Sequence, residues 1–417
     1  MKLLFVHQNM PGQYREIIQF LAREGHHEIA FLTQRTPPPE IGGVRTVVYK
    51  PHHRPKENAY GLSKVWEAAA GTGFGAAMAA RQLERVEGFK PDIIVGHVGW
   101  GELTFLKEVW PDVPIIGYFE YYYRMTGGIV GFDESEPVTE HTPFLMQARN
   151  AVPLANIEVV DLGQCPTLWQ RDRFPTSFHD RMYVCHDGIR TDTLQPDPKA
   201  SLALGRLDRP VTAQDEIITY VARNLETTRG FHVFMRALPE ILARRPNARV
   251  LILGGNDVSY GGKSKHPGGL RAQMEDEVGA LMDWSRVHFL GNVPYPDFIR
   301  LVQISRCHIY LTMPFVVSWS LLEAMSMKAT IVASDVLPVR EFITHGETGR
   351  LVDFHDPSAL AEQVIDIVAN PKDYRHLGQN ARARIVADHD FKTRCLPVHL
   401  ARINDLVPAA RRLEIPR

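Results

Sequence analysis

Short apolar runs alternate with longer helical patterns along the first half of the chain. Two helical patterns are clear, at residues 13–23 and in the alanine-rich residues 62–86. The apolar runs have the length of strands and cover residues 2–6, 28–33, 44–50, 92–96, 114–119, 156–162 and 182–185. Strands that alternate with helices predict a parallel, doubly wound sheet.

A second series of the same kind starts after residue 215. Its strand-like runs cover residues 217–222, 249–253, 287–290, 308–311, 330–333 and 349–352, with helical patterns at 230–244, 320–327 and 357–369. Residues 190–215 lack the pattern and contain Pro196, Pro198 and Pro210, which favours an interdomain linker. We therefore expect an α/β protein with two doubly wound, Rossmann-like halves facing each other across a cleft. Ligands of such folds bind at the carboxyl ends of the strands.

Composition narrows the classes of function. The 417 residues include 47 Lys and Arg against 48 Asp and Glu, and a net charge of -1 gives no electrostatic signature of nucleic-acid binding. Four cysteines without a C-x-x-C pair form no disulfide framework and predict a reducing compartment. No apolar run approaches the roughly 18 residues of a membrane span. We expect a cytoplasmic protein and leave open both peripheral contact with the inner membrane face and the oligomeric state.

The stretch around Glu323 contains the first candidate chemistry. Ser320 and Glu323 have the S-x-x-E spacing of a capping box, which places a helix start directly after a predicted strand. The unpaired N–H groups of a helix start attract anions, and a carboxylate in its first turn can accept two ribose hydroxyls. The alternative is that Glu323 only caps its own helix.

Two arginines flank the loop after the first strand of the second half. Arg223 follows the strand predicted at 217–222, and Arg229 precedes the helix predicted at 230–244. Guanidinium groups grip phosphates through two parallel hydrogen bonds, so this pair suits a diphosphate. Taken alone, Arg229 also fits a solvated loop charge.

In the first half, Gly12 and His97 both lie where predicted strands end. Gly12 lacks a Cβ, so a diphosphate or sugar can approach its turn, although an ordinary turn glycine fits equally well. Glycines at 96, 99 and 101 favour a ligand-facing turn around His97 over a buried core histidine. The single D-x-D, at 388–390, follows a helical pattern, so we predict no metal site.

Several of these features occur together in the order of a known family. Residues 217–387 resemble the donor domain of the retaining glycosyltransferases of family 4, which have the GT-B fold. The matching features are Arg223, Arg229-Gly230, Gly254-Gly255, LEAM at 322–325, VASDVLPVRE at 332–341 and GETG at 346–349. The first half resembles a bacterial subgroup of that family through HQNMPGQY at 7–14, HVGWGE at 97–102, YFEYYYR at 118–124, CPTLWQ at 165–170 and HDG at 186–188.

The resemblance implies roles for individual residues. Glu323 is expected to bind the donor ribose, while Arg223 and Arg229 hold the diphosphate and stabilise its departure. Glu120 stands about where the family has a histidine that touches the donor sugar or the acceptor, so it joins the two arginines as a catalytic candidate. Further donor contacts are expected from Gly12, Gly254, Val293, Phe315, Ser318, Trp319 and Ser320. The acceptor or sugar is expected to meet His97, Glu102 and Tyr121.

One signature position departs from the family pattern. The family has two glutamates separated by seven residues, and counting back from Glu323 reaches Phe315 in place of the first. That first glutamate usually contacts the transferred sugar, and the small glycines after it are replaced by Val316, Val317 and Ser318. The identity of the donor sugar is therefore open.

The expected function is sugar transfer from a nucleotide-diphosphate sugar, with UDP as the family's commonest nucleotide, to a glycan, lipid-linked or other hydroxyl acceptor. Transfer is expected to retain the anomeric configuration, to need no metal or other cofactor, and to serve bacterial surface polysaccharide or glycoconjugate synthesis. Residues 1–195 would bind the acceptor, residues 205–390 the donor, and residues 391–417 would pack back across the hinge. Two alternatives stay open: a non-catalytic partner subunit that binds sugar nucleotides or glycans, and a nucleotide-sugar epimerase.

Overall fold

A computed structural model describes residues 1–205 and 209–416. Within this part, the chain forms two compact units. The first unit comprises residues 1–125, residues 139–188 and the chain from Phe391 on. The second comprises residues 126–138 together with the described part of residues 189–390.

The first unit is built on seven parallel strands. Its elements are β1 (Lys2–Val6), α1 (Arg15–Glu24), β2 (Glu28–Thr33), β3 (Val44–Val48), α2 (Gly61–Glu87), β4 (Ile93–His97), β5 (Ile115–Tyr118), α3 (Thr142–Arg149), α4 (Ala151–Val159), β6 (Leu162–Cys165), α5 (Leu168–Arg173) and β7 (Met182–Val184). The strand order is β3-β2-β1-β4-β5-β6-β7, so the direction of winding reverses between β1 and β4. Successive residues of a strand point to opposite faces. Leu3 and Phe5 accordingly pack into one core and Leu4 and Val6 into another.

The second unit repeats this plan with a six-stranded parallel sheet. Its elements are β8 (Ser201–Leu202), β9 (Val211–Thr212), β10 (Ile217–Asn224), α6 (Phe231–Arg244), β11 (Arg249–Gly255), α7 (Gly269–Val278), β12 (Val287–Gly291), α8 (Tyr295–Gln303), β13 (Cys307–Tyr310), α9 (Trp319–Ser326), β14 (Ile331–Ser334), α10 (Leu337–Arg340), β15 (Arg350–Val352), α11 (Pro357–Ala369) and α12 (Arg375–Asp388). The order β12-β11-β10-β13-β14-β15 reverses between β10 and β13. A doubly wound sheet binds its ligands at the carboxyl ends of the strands beside such a reversal. β8 and β9 form a separate antiparallel pair.

The observed units differ from the predicted domains at three places. The N-terminal part of the first unit ends at Gly188, whereas the predicted domain runs to residue 195, and residues 126–138 belong to the second unit. The predicted linker is not a free connection, because Leu194, Ala200 and Val211 are buried in the core of the second unit. Residues 206–208 of that linker lie outside the described part. The chain from Phe391 on, with α13 (Leu396–Leu406), belongs to the first unit, and its packing across a hinge stays a prediction.

The strand predicted at residues 156–162 is wrong. Residues 151–159 are helix α4, and the strand β6 begins only at Leu162. The Asn156 amide is buried and donates to the Val152 carbonyl oxygen one turn earlier, at 2.9 Å, which a helix provides and a strand does not. A short apolar run does not distinguish a buried helix from a strand.

Within the described residues, none of the helices combines the length and the apolar character needed to span a bilayer.

Candidate active site

Arg229 is fixed beside the reversal in the second sheet. It directly precedes Gly230, whose positive φ of 66° starts α6, and its side chain is almost fully buried. Its Nη1 donates to Thr312 Oγ1 and to the Val316 carbonyl oxygen, both at 3.0 Å, on the segment that follows β13. Among the described residues its side chain makes hydrogen bonds through Nη1 alone. The guanidinium is therefore held in place while Nε and Nη2 retain their donors for a ligand.

Tyr260 joins the two arginines that the sequence singled out. The Arg229 guanidinium lies 5.6 Å from the centre of the Tyr260 ring and 5.8 Å from that of Phe315, and the two ring centres are 4.9 Å apart. Arg223, which is exposed at the end of β10, directs Nη1 to the Tyr260 hydroxyl at 3.4 Å. Cations are attracted to aromatic faces, so Tyr260 and Phe315 orient Arg229. Sequence reasoning missed Tyr260, because a loop tyrosine 37 residues after Arg223 has no local signal.

Glu226 holds the loop that carries Tyr260. Its carboxylate is 2% exposed, and Oε2 accepts the backbone N–H groups of Ser259, Tyr260 and Gly261 at 3.0, 2.9 and 3.2 Å. Asn224 adds a bond from Nδ2 to Ser259 Oγ at 2.8 Å. Backbone N–H groups that converge on an anion form a nest, and here the anion is a side chain of the protein. Glu226 is therefore a positioning residue for Tyr260, and the sequence did not single it out.

The capping box predicted for Ser320 and Glu323 is not formed. Helix α9 starts at Trp319 with Ser318 as its N-cap, and no side chain caps it. The Ser318 and Ser320 hydroxyls bond to each other at 2.7 Å, and Glu323 Oε1 accepts the Tyr295 hydroxyl at 2.6 Å. Because the helix begins one residue before Ser320, that serine lies inside the first turn and cannot act as its cap. Glu323 is thus paired by a tyrosine from α8, and its ribose role stays a prediction.

The other donor-side candidates lie on the same unit in different settings. Trp319 is 37% exposed, Val293 is half-buried just before α8, and Phe315 is buried. A Cβ on Gly254 would lie 2.8 Å from Leu225 Cδ2 and 3.0 Å from the Ala222 carbonyl oxygen. Gly254 is therefore required by the close approach of β11 to the end of β10, which is a packing reason independent of any ligand.

In the first unit, His97 and Glu120 come together at the carboxyl ends of β4 and β5. His97 is 2% exposed, and its Nδ1 accepts the Gly99 N–H at 3.0 Å. This bond assigns the ring proton of neutral His97 to Nε2, which lies 3.4 Å from Glu120 Oε2. The pair is within ion-pair distance, although Nε2 lacks the alignment of a full hydrogen bond among the described residues.

His7 and Gly12 complete this edge at the end of β1. The His7 ring centre is 5.4 Å from that of His97, and burial, followed by the neighbouring His97 charge, lowers the pKa of His7 to about 3. His7 is therefore neutral at physiological pH. Gly12 has a φ of 55°, and a Cβ there would lie 3.0 Å from the His7 ring, so both backbone and space require glycine.

Glu102 is a carboxyl group buried in the same region. It is 0% exposed, and Oε1 accepts the Gln8 N–H at 3.0 Å, while Oε2 has no partner among the described residues. Burial raises the pKa of Glu102 to about 7. Perturbed carboxyl groups in such positions are candidates for a functional site.

Tyr121 lies in an aromatic cluster of the first unit. Its ring centre is 5.0 Å from that of Tyr123 and 6.0 Å from that of Trp169, and the Arg173 guanidinium lies 5.4 Å from it. The predicted role of Tyr121 in binding the acceptor or sugar stays a prediction.

One group of metal-ligand type lies elsewhere in the first unit. Glu24, His26 and His27 present ligand atoms within 4.8 Å of one another, where α1 leads into β2. That turn precedes β2, whereas His7 follows the parallel strand β1, so the group lies at the opposite end of the sheet from the candidate site. Its three residues are thus outside the chemistry described here.

Two family profiles match the chain in succession. One, described as "Glycosyl transferase family 4 group", matches residues 25–194, and one described as "Glycosyl transferases group 1" matches residues 208–384. A D-inositol 3-phosphate glycosyltransferase of Corynebacterium efficiens is 30% identical over 321 residues, which are 73% of this chain and 70% of that protein. The chain belongs to family 4 of the glycosyltransferases.

Other relatives of this family 4 glycosyltransferase match over shorter shares of their length. A D-inositol 3-phosphate glycosyltransferase of Streptomyces scabiei is 26% identical over 69% of this chain and 61% of its own. A phosphatidyl-myo-inositol mannosyltransferase of Mycolicibacterium smegmatis is 30% identical over 40% of this chain and 39% of its own. The subgroup inferred from HQNMPGQY at residues 7–14 stays a prediction.

Solved structures support the fold across almost the whole chain. Sucrose-phosphate synthase of Thermosynechococcus elongatus has a TM-score of 0.71 at 18% identity, covering 97% of this chain and 98% of that one. HepE of Anabaena, in complex with UDP and glucose, has a TM-score of 0.67 at 13% identity, covering 97% of both chains. Together with the two parallel sheets, these likenesses establish the predicted GT-B fold class.

Proposed function

We propose that this family 4 glycosyltransferase transfers a sugar from a UDP-linked donor to a hydroxyl acceptor, with retention of configuration and without a metal ion. The observation that carries the proposal is the pair of arginines joined by Tyr260 at the reversal of the second sheet. The names of the relatives support transfer of a glycosyl group, and the HepE complexes support a uridine nucleotide. Synthesis of bacterial surface polysaccharide or glycoconjugates is the proposed setting.

The donor side must stabilise a departing nucleoside diphosphate. Arg229 supplies a cation whose geometry is fixed before the donor binds, because Thr312 and Val316 anchor its Nη1. Preorganised charge of this kind lowers the barrier without reorganisation during the reaction. Arg223 is exposed, so it contributes a second cation that can adjust to the diphosphate. Two positive groups meet the negative charge of the leaving group, which is why no metal ion is required.

The acceptor side is built from hydrogen-bonding groups of the first unit. Glu120 can accept a hydrogen bond from a hydroxyl group, and His97, with its proton on Nε2, can donate one to a hydroxyl oxygen. Glu102 adds a buried carboxyl whose Oε2 has no partner among the described residues. Such groups suit a polyhydroxylated acceptor. The acceptor hydroxyl proton then passes to the leaving phosphate, while Glu120 and His97 position the acceptor.

The donor-sugar subsite lacks the carboxylate of the family signature. Phe315 is buried against Tyr260, so an aromatic surface occupies the signature position. A hydroxyl that loses water there gains no partner, and an unsatisfied buried hydroxyl costs about 1–3 kcal/mol. We therefore expect the transferred sugar to differ from that of family members with both glutamates. The same observation favours one alternative, a partner subunit that binds the donor without transferring it.

A lipid-linked acceptor would bring the protein to the inner membrane face, and we propose peripheral contact there. Tyr60, Trp66 and Phe74, at the start and in the first half of α2, are 71, 37 and 43% exposed, and they support this proposal. Flotation with vesicles of anionic phospholipid measures the contact. The comparison is between wild type and the double variant Trp66→Ser/Phe74→Ser.

The test of the proposed function is a panel of nucleotide sugars. Thermal stabilisation identifies which donor binds, and slow release of the free nucleotide with anomeric analysis of the sugar identifies transfer to water. We expect uridine nucleotide sugars to bind and turn over, at the same rate with and without a chelator. Loss of activity in EDTA that Mg²⁺ or Mn²⁺ restores contradicts metal independence. Binding without turnover favours the partner subunit, and an epimerised nucleotide sugar identifies an epimerase.

A further inference from the structure

Residues 126–138 are attached to the second unit by two anchors. The Phe132 ring centre lies 5.3 Å from that of Phe354 and 4.9 Å from that of His355. His355 Nε2 also lies 2.9 Å from the Phe132 carbonyl oxygen. The second anchor is Asp133, whose Oδ2 lies 3.3 Å from Nε2 of His232 in the first turn of α6.

The Asp133 anchor is an ionised carboxylate. Burial alone would raise the pKa of Asp133, but the hydrogen bonds from His232 and Ser135 outweigh it and hold the pKa well below its ordinary range. Both side chains of the pair are less than a tenth exposed, at 8% for Asp133 and 7% for His232. A carboxylate at the start of a helix is also favoured by the helix dipole. The middle of the segment is thus firmly held.

Three residues after this anchor, Glu136 reaches the loop that carries Tyr260. Its Oε1 accepts the Gly262 N–H at 2.5 Å and the Thr227 hydroxyl at 3.2 Å. Gly262 follows the three residues whose N–H groups Glu226 binds, and Thr227 lies two residues before Arg229. One backbone N–H and one hydroxyl that converge on a single carboxylate oxygen are the donors that a phosphate oxygen takes.

We propose that Glu136 is an internal placeholder for a phosphate oxygen of the nucleotide donor. This inference rests on the proposed function. A bound diphosphate takes the Gly262 N–H and the Thr227 hydroxyl, and Glu136 leaves because two anions cannot share these donors. Phe132 and Asp133 keep the segment attached, so only the part around Glu136 moves. The loop is thereby kept in a binding-competent shape before the donor arrives.

A placeholder weakens apparent donor affinity by the fraction of time the site is open. If Glu136 fills the site about 90% of the time, removing it tightens nucleotide binding about 10-fold. Glu136→Ala removes the competing oxygens, and Glu136→Gln leaves a neutral and weaker acceptor in place. Glu134→Gln is the matched control, because Glu134 is an exposed carboxylate of the same segment.

The experiment measures calorimetric Kd values of the full chain for UDP and for inorganic pyrophosphate, with melting curves to verify folding. We expect about 10-fold tighter binding of both ligands in Glu136→Ala, a smaller gain in Glu136→Gln and none in Glu134→Gln. Amide hydrogen exchange adds a second readout: UDP should accelerate exchange at Ser135 and Glu136 of wild type but leave Phe132 protected.

The outcomes separate the placeholder from the donor site itself. If UDP binds and Arg229→Ala weakens it, but both Glu136 variants bind as wild type does or more weakly, the placeholder is wrong while the proposed donor site stands. If Arg229→Ala binds UDP as tightly as wild type, the proposed donor site is wrong. If no variant binds UDP or pyrophosphate, both inferences fail.

Discussion

Loss of the Glu226 carboxylate should disorder the Tyr260 loop and weaken donor binding without unfolding the protein. Oε2 of Glu226 accepts three consecutive N–H groups from residues 259–261. Hydrogen bonds to a charged group contribute about 1.5–3 kcal/mol each when buried, but these three share one oxygen and water can reach the loop. We therefore assign about 2 kcal/mol to the loss in Glu226→Ala.

That free energy converts directly into apparent affinity. If the ordered loop is required for binding and Glu226→Ala shifts its equilibrium by about 2 kcal/mol, the Kd for UDP rises by up to about 30-fold. Glu226→Gln keeps an oxygen in place but loses the charge, and charged bonds are roughly twice as strong as neutral ones. Half of the loss, about 1 kcal/mol, predicts about a 5-fold rise.

The assay is calorimetric titration of wild type, Glu226→Ala, Glu226→Gln and Glu347→Ala with UDP. Glu347 is an exposed glutamate of the same unit and controls for net charge. Amide exchange at residues 259–262 should increase in the order wild type, Gln and Ala. Wild-type affinity in Glu226→Ala, or faster exchange without a change in affinity, refutes the positioning role of Glu226.

Three further predictions concern residues at the two sheet edges. Arg229→Ala should reduce transfer about 100-fold and Arg223→Ala, which changes an exposed side chain, about 10-fold, because charged contacts to phosphate contribute about 1.5–3 kcal/mol. If kcat/KM is unchanged in both variants, the diphosphate binds elsewhere. Glu323→Gln should keep the melting temperature, because the amide oxygen still accepts the Tyr295 hydroxyl, and weaken UDP binding; a lower melting temperature with unchanged affinity means that Glu323 is structural only. Burial raises the pKa of Glu102 from 4.5 to about 7, so between these pH values the folded state binds more protons than the unfolded state. The free energy of unfolding therefore falls by up to about 3 kcal/mol as pH rises through this range. Urea denaturation at pH 5 and pH 8 should show this fall in wild type relative to Glu102→Gln, because the comparison cancels the titration of His7 and the other histidines common to both proteins.

Hydrophobic periodicity determined most of the secondary structure. The strands predicted from apolar runs at 2–6 and 28–33 are those observed, and helix α11 occupies the predicted residues 357–369. The spacing of apolar residues along a strand or helix can be recognised from the local sequence, because each element must bury one face or stripe. The exception is residues 151–159, where a short apolar stretch fits both the helical and the strand period. The buried Asn156 side chain, which bonds one turn back along the chain, decided in favour of the helix.

Sequence order also brought the two arginines to one place. A residue at the end of a parallel strand and a residue before the next helix lie at the same sheet edge by topology, so Arg223 and Arg229 could be paired without coordinates. The S-x-x-E spacing was less reliable, because the start of α9 depends on Ser318 and its contact with Tyr310. Cap spacing alone does not establish which serine a helix uses.

Only the tertiary structure disclosed the side chains that organise the site. Glu226 meets Tyr260 across 34 residues, and Glu136 meets Thr227 and Gly262 across 91 and 126 residues. In the sequence, these glutamates are isolated charges of the kind that usually lie in solvent. Their role arises because loops distant in the chain bring backbone N–H and hydroxyl donors within hydrogen-bond distance of these carboxylates. Local sequence therefore determined the elements and the sheet edge, whereas the pairing of loop donors with distant carboxylates was decided by the fold, because such pairs depend on which loops pack together.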